Sequence, residues 1–290
     1  MPTKEERKAE AKKHNGLVRG VFASDIQKAI DNAVVYEDGD GRELELPEPR
    51  FEATNVSVAW DTLARVTERA KGKVCVLDPG HFRNPGGNYL GGGWSPEEQI
   101  CAESTLFPVL EGLRKTYYDG NRQSGRGGLA TDRALYLTDI VFTTGGVTKM
   151  RDVLVIAPPN RRFALENHRS EAECDIDLAN RIEALMRIAA ANEVDTFVLC
   201  AFGCGFFEND AQRVAGLFKD WLDAHPGQFE TVVFAIAGGP SLDVFRDVFP
   251  FEDTRRQAQA AKDQQVDEQE DDDDDATDVA PTSDGRWVFE

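Results

Sequence analysis

Short apolar runs bounded by glycine, proline or polar clusters recur along the chain, at Val74–Leu77, Ala134–Phe142, Val153–Ala157, Thr196–Ala201 and Thr231–Ala237. Unbroken apolarity over so few residues predicts strands covered on both faces. Between these runs the apolar positions fall at helical spacing, most clearly over Asp61–Ala70, Glu97–Tyr118, Glu171–Asn192, Ala211–Ala224 and Ser241–Val248. The Asp-Gly-Asp-Gly stretch between strand-like segments predicts a hairpin over Tyr36–Leu46. Strands alternating with helices of this length make an α/β sandwich, a sheet with helices on both faces. In such sheets ligands bind where loops leave the carboxyl ends of strands.

Charge changes the picture at one end. Lys and Arg number 33 against 52 Asp and Glu, a formal net charge of −19. From Ala258 onward 12 acidic residues face only Lys262 and Arg286, so about half of the excess sits there. A segment with so few apolar residues cannot offset the entropy of ordering itself. The expectation is a folded domain over residues 1–255, with an N-terminal helical extension, followed by a disordered acidic tail over 256–290 that solubilises the chain or binds an unknown protein. The overall charge disfavours general nucleic-acid binding. No run is long and apolar enough to span a bilayer, and the basic start lacks the apolar core of a secretory signal. The expected location is cytoplasmic. The five cysteines, Cys75, Cys101, Cys174, Cys200 and Cys204, match no zinc spacing and read as reduced thiols.

Two loops are rich in glycine. The first follows the strand at Val74–Leu77 and holds Gly80, Gly86, Gly87, Gly91, Gly92 and Gly93 before a helix that opens with Glu97 and Glu98. Glycine allows positive φ and close backbone approach, and successive N–H groups can form an anion nest at a helix N-terminus, which points to a diphosphate. There is no Gly-Lys-Ser/Thr and no G-x-G-x-x-G. Two roles fit Glu98. Ser95-Pro96-Glu97-Glu98 spells a capping box, in which Glu98 returns a hydrogen bond to the Ser95 backbone; the same carboxylate could instead do acid–base chemistry.

The second loop, Phe202 to Asp210, follows the strand at Thr196–Ala201. Gly203 and Gly205 permit close approach, Phe206 or Phe207 could flank a sugar or base, and Asn209 or Asp210 would cap the next helix. Cys204 has no histidine nearby to activate it, so it is a poor candidate nucleophile. His14, His81, His168 and His225 form no metal-ligand spacing, and His81 reads as structural or solvent-facing.

The run Asn84-Pro85-Gly86-Gly87-Asn88-Tyr89-Leu90-Gly91-Gly92-Gly93-Trp94-Ser95-Pro96-Glu97-Glu98 resembles the signature of the bacterial-type poly(ADP-ribose) glycohydrolases, a Gly-Gly-Gly stretch followed after a short spacer by Gln-Glu-Glu. The similarity continues through Ala102–Phe107, Tyr117-Tyr118, Asp132–Tyr136, Ala157–Asn160, Phe202–Asp210 and Val232–Ile236. It implies a macrodomain-like three-layer α/β/α sandwich with a mixed sheet. It implies hydrolysis of the ribose–ribose O-glycosidic bond of poly(ADP-ribose), with Glu98 as general acid and base and Glu97 placing the scissile ribose. It also implies that Asn84, Gly86, Gly87, Asn88 and Gly92 on one side, and Gly203, Cys204, Gly205, Phe206 and Phe207 on the other, hold the ligand. The implied partner is ADP-ribose or an ADP-ribosylated macromolecule, with no cofactor, no metal and no membrane.

Two positions depart from the signature: Asn88 replaces its third glycine and Pro96 its glutamine. They leave room for two other readings, an ADP-ribose reader without turnover and a hydrolase of mono-ADP-ribosylated protein or nucleic acid.

Overall fold

The expected strands assemble into one sheet. In a computed structural model, which describes residues 2–123 and 126–252, eight strands run β1 (Val34–Tyr36), β2 (Asn55–Ala59), β3 (Val74–Asp78), β4 (Ala134–Phe142), β5 (Lys149–Ile156), β6 (Thr196–Leu199), β7 (Thr231–Ala235) and β8 (Phe251–Glu252). Their order across the sheet is β1-β4-β5-β3-β6-β7-β2-β8. β4 pairs antiparallel with β1 and β5, and every other neighbouring pair is parallel. The sheet is therefore mixed, and its parallel centre is where the sequence is most uniformly apolar. All residues of β3 and β6 are buried, as strands covered on both faces require. The acidic tail expected over 256–290 lies outside the described residues.

Helices fall into two sets around the sheet. One set holds α1 (Lys4–Val21), α2 (Ala23–Asp31), α4 (Leu63–Arg69), α5 (Pro96–Ala102) and α6 (Leu106–Gly112). The other holds α3 (Asp40–Glu43), α8 (Arg161–Glu166), α9 (Glu171–Ala191), α10 (Ala211–Ala224) and α11 (Pro240–Val248). A one-turn helix α7 spans Asp119–Gln123. The starts of α9 and α10 follow from their caps: Ser170 and Glu173 form a capping box, and Asp210 accepts the Arg213 N–H at 2.7 Å.

Two expected elements are corrected. Tyr36–Leu46 is not a hairpin, because β1 stops at Tyr36 and α3 follows. The residues expected in the turn are held otherwise: Asp40 accepts the Glu37 N–H, Asp38 accepts the Asp132 N–H, and Asp132 accepts the Gly39 N–H and pairs with Arg42. Glu97–Tyr118 is not one helix. It breaks after Ala102, where Ser104 bridges to Phe142 at the end of β4, the Thr105 N–H donates to Val141 O and the Thr143 N–H to Glu103 O. Pro108 then lies in the first turn of α6, where its missing N–H costs little, and a π-helical turn, Arg114–Tyr118, follows.

β5, β3 and β6 are adjacent and parallel, so their carboxyl ends deliver three connections to one edge: 157–160, 79–95 and 200–209. Both glycine loops meet there.

Candidate active site

The connection after β3 is shaped around two carboxylates. Ser95 is the N-cap of α5 and Pro96 occupies its first turn. The Ser95 N–H donates to Glu98 Oε2 at 2.5 Å, and the Asn88 N–H donates to Glu98 Oε1 at 2.9 Å. The expected cap is therefore made, and the same carboxylate, only 7% exposed, lines a cleft between the two glycine loops. Capping therefore does not withdraw this carboxylate from the cleft. Glu97, also buried, accepts the His81 N–H on Oε2 at 2.8 Å.

Gly87 is the point where these carboxylates converge. Its φ is +54°, the left-handed region that side chains rarely adopt. A Cβ there would stand 2.6 Å from Glu98 Oε1 and 2.9 Å from Glu97 Oε2. Asn88, by contrast, has φ −112°, so the backbone does not require the glycine that the signature has at this position. Its N–H serves Glu98, and its side-chain amide lies against Gly91. Pro96 likewise sits where a proline suits a helix start.

The cleft encloses about 620 Å³. The first loop gives it Gly87, Asn88, Glu97 and Glu98, and the second gives Gly203, Gly205, Phe206 and Phe207. Phe206 is 75% exposed at the mouth, with the Arg162 guanidinium 5.7 Å from its ring centre. Gly203 has φ +71° and no room for a side chain between Asn209 and Pro158. Asn209 is buried beneath the loop and donates to Pro159 O at 2.8 Å.

Four of the expected ligand-holding residues do not line the cleft. Asn84 turns to His81, whose Nδ1 accepts its N–H, and borders a separate cavity beside Phe107 and Arg114. Gly86 is buried with no room beyond its Cα, facing Phe107. Gly92 is covered by α1, and its carbonyl accepts from Arg7 Nε at 3.0 Å. Cys204 also stays out of the wall; burial pushes its thiol up to about 12, unsuited to a nucleophile.

The sequence assigned no site role to His81, Pro158, Arg181 or Asp78. His81, read as structural, lines the cleft as well as bonding Glu97. Pro158 and Phe207 lead from the cleft into a side cavity of about 160 Å³ with Leu129 and Phe163 in its walls. Arg181, fully buried, supports that cavity by donating to Ala157 O and Ala130 O, both at 2.7 Å. Asp78, the last residue of β3, is fully buried, and neither carboxyl oxygen has a hydrogen-bond partner among the described residues. Burial and the nearby Glu98 carboxylate push its pKa up to about 8. Glu97 is likewise held well above the usual carboxylate range, by burial and then by Asp78. An acidic residue after an apolar strand is the only signal the sequence carries for Asp78. Among the described residues no group of three or more His, Cys, Asp and Glu side chains is placed to hold a metal ion, and no helix is long and apolar enough to cross a membrane.

Residues 9–144 match the family model described as microbial-type PARG, catalytic domain, PARG being poly(ADP-ribose) glycohydrolase. The match covers 136 of the 290 residues of the chain. The matched residues include the first glycine loop and both glutamates of this glycohydrolase signature. The poly(ADP-ribose) glycohydrolase of Thermomonospora curvata has the same fold, with a TM-score of 0.75 at 24% identity over 84% of this chain and all of that one. Its structure bound to the inhibitor ADP-HPD superposes at 0.73 with 26% identity, again over 84% and 100%. The glycohydrolase of Deinococcus radiodurans in complex with ADP-ribose gives 0.69 at 26% identity over 77% of this chain and 96% of that one. No curated protein matches the chain significantly.

Proposed function

We propose that this chain belongs to the microbial-type poly(ADP-ribose) glycohydrolase family, hydrolyses the O-glycosidic bond between ribose units of poly(ADP-ribose) and releases ADP-ribose. One observation carries the reading: Glu98 is buried in the wall of a cleft between two glycine loops, with both oxygens fixed by backbone N–H groups. The backbone of Gly87 and of Gly203 to Phe207 would approach the diphosphate from two sides, and the side cavity, with Leu129 and Phe163 in its walls, offers an apolar face for the adenine. The anomeric carbon of the terminal ribose then lies beside Glu98.

Glu98 gives its proton to the leaving oxygen as the bond to the anomeric carbon breaks and oxocarbenium character develops. Water adds to that carbon and returns a proton to Glu98, so the products are ADP-ribose and a chain shortened by one unit. Glu97, locked onto the His81 N–H, lies within reach of the same ribose. The macrodomain-like assignment is part of this proposal, supported by the mixed sheet with its site at the carboxyl ends of parallel strands. So is a cytoplasmic location, supported by five free cysteines, four of them buried.

The test is release of free ADP-ribose from poly- and mono-ADP-ribosylated protein by the wild type and by Glu98→Gln. Release from chains that falls by about 10²–10⁴-fold in the variant supports the proposal. Bound ADP-ribose with no release from either substrate would make the protein a reader and overturn it. Release from mono-ADP-ribosylated protein alone would overturn the polymer as substrate.

A further inference from the structure

The cleft occupies only one side of Glu98. A second cavity, of about 290 Å³, lies where α1 crosses the first glycine loop and α5. Arg7, Glu10 and His14 form its α1 wall, and Tyr89, Trp94 and Glu98 form the opposite one. Glu98, Trp94 and Gly93 border both this cavity and the cleft. The carboxylate thus stands at a partition between two spaces.

Three features make the second space suited to a nucleoside. Trp94 is 42% exposed, an aromatic face with the Arg7 guanidinium 5.7 Å from its ring centre, and exposed aromatic faces stack on sugars and bases. His14 holds Tyr89 Oη through Nδ1 at 2.8 Å, which leaves its buried Nε2 without a partner; a buried polar atom in that state is stabilised by a ligand hydroxyl. Its position is also fixed. Tyr89 Oη donates to Ala11 O, Arg7 Nε donates to Gly92 O, and Gly92 packs so closely on the Lys4 carbonyl that no side chain fits there. α1 is therefore docked on the loop that holds Glu98, so the cavity is a defined space.

Glycosidic cleavage calls for space on both sides of the proton donor. The unit being released lies on one side of the proton donor and the group that keeps the oxygen lies on the other. We infer that the cavity between α1 and Trp94 is the leaving-group subsite, which receives the ribose and adenine of the chain unit next to the one released. This rests on the hydrolase reading above and adds to it: the polymer is recognised beyond its terminal unit, by residues of the N-terminal helix.

The experiment compares two substrates that share the bond broken. One is poly(ADP-ribose); the other is ADP-ribose carrying a methyl group on the anomeric oxygen of its terminal ribose, whose leaving group, methanol, does not need the subsite. Ala102→Phe fills the cavity from α5, and Glu10→Trp fills it from an exposed position on α1, where a fold defect is not expected. Each should raise KM for the polymer at least tenfold while leaving kcat/KM for the methyl glycoside and the affinity for ADP-ribose within about twofold. Equal losses on both substrates in Glu10→Trp would show that the cavity only supports Glu98 and would overturn the inference. So would polymer kinetics that ignore both variants. A wild type that turns over neither substrate overturns the hydrolase reading itself, which separates that failure from failure of the subsite.

Discussion

Replacing Gly87 by alanine puts one methyl group against both carboxylates of the site. The residue sits at φ +54°, where a side chain costs roughly 1–2 kcal/mol. The new carbon would also stand 2.6 Å from Glu98 Oε1 and 2.9 Å from Glu97 Oε2, well inside contact distance, so at least one carboxylate must move. Glu98 can yield only by loosening the N–H bonds from Asn88 or Ser95, and Glu97 only by leaving the His81 N–H. A displacement of about 1 Å at a reacting group costs on the order of 10²-fold in rate. The expected result is a folded protein whose Tm falls by roughly 2–8 °C, given about 2–4 °C per kcal/mol for a domain of this size. Its kcat for ADP-ribose release should fall about a hundredfold. Steady-state release of ADP-ribose and a thermal melt on the same preparation decide it. A kcat within threefold of wild type would refute the claim that this contact holds the carboxylates in place.

The remaining predictions concern the same framework. Asp78 titrates near 8 in the folded protein and near 3.9 in the unfolded chain, so the folded state binds the extra proton and loses stability as pH rises from about 4 to 8. Asp78→Asn should raise Tm relative to wild type at pH 8, with the gain shrinking towards pH 5; a constant offset across that range would contradict it. Arg181→Met removes the donor that holds Ala157 O and Ala130 O and leaves Asp177 without its partner. It should cost about 3 kcal/mol in a denaturant titration and weaken ADP-ribose binding, while Arg187→Met, on the same helix and away from the cleft, should leave binding unchanged. Cys204→Ser should keep kcat within about twofold, because the thiol faces Phe202 O and stays protonated; a loss beyond tenfold would bring the thiol into the chemistry.

What the chain disclosed in advance depended on whether a residue's role was local. Ala134–Phe142 and Ala211–Ala224 coincide with β4 and α10, because an apolar run and an Asp cap act within a few residues. The Ser95–Glu98 cap was legible for the same reason. The hairpin at Tyr36–Leu46 failed because its turn is set by Asp132, more than ninety positions away. The single long helix from Glu97 failed because its break is stapled to β4 across the sheet. Gly92 shows the same limit inside the site. Its glycine is needed by the backbone of α1, a constraint that looks in sequence like any other member of a ligand-binding stretch. Asp78 was passed over because burial without partners is a property of the assembled sheet.

The double use of Glu98 bears on how such chains diverge. The side chain proposed as proton donor also satisfies the N–H groups of Ser95 and Asn88 and so keeps the start of α5 and the glycine loop together. A lineage that abandoned turnover and kept only ligand binding would still be selected to retain this glutamate, since losing it would unravel the pocket as well as the reaction. Persistence of the residue therefore tracks the architecture first. Loss of catalysis by descent would be recorded elsewhere, in side chains that obstruct the approach of water or of the leaving group.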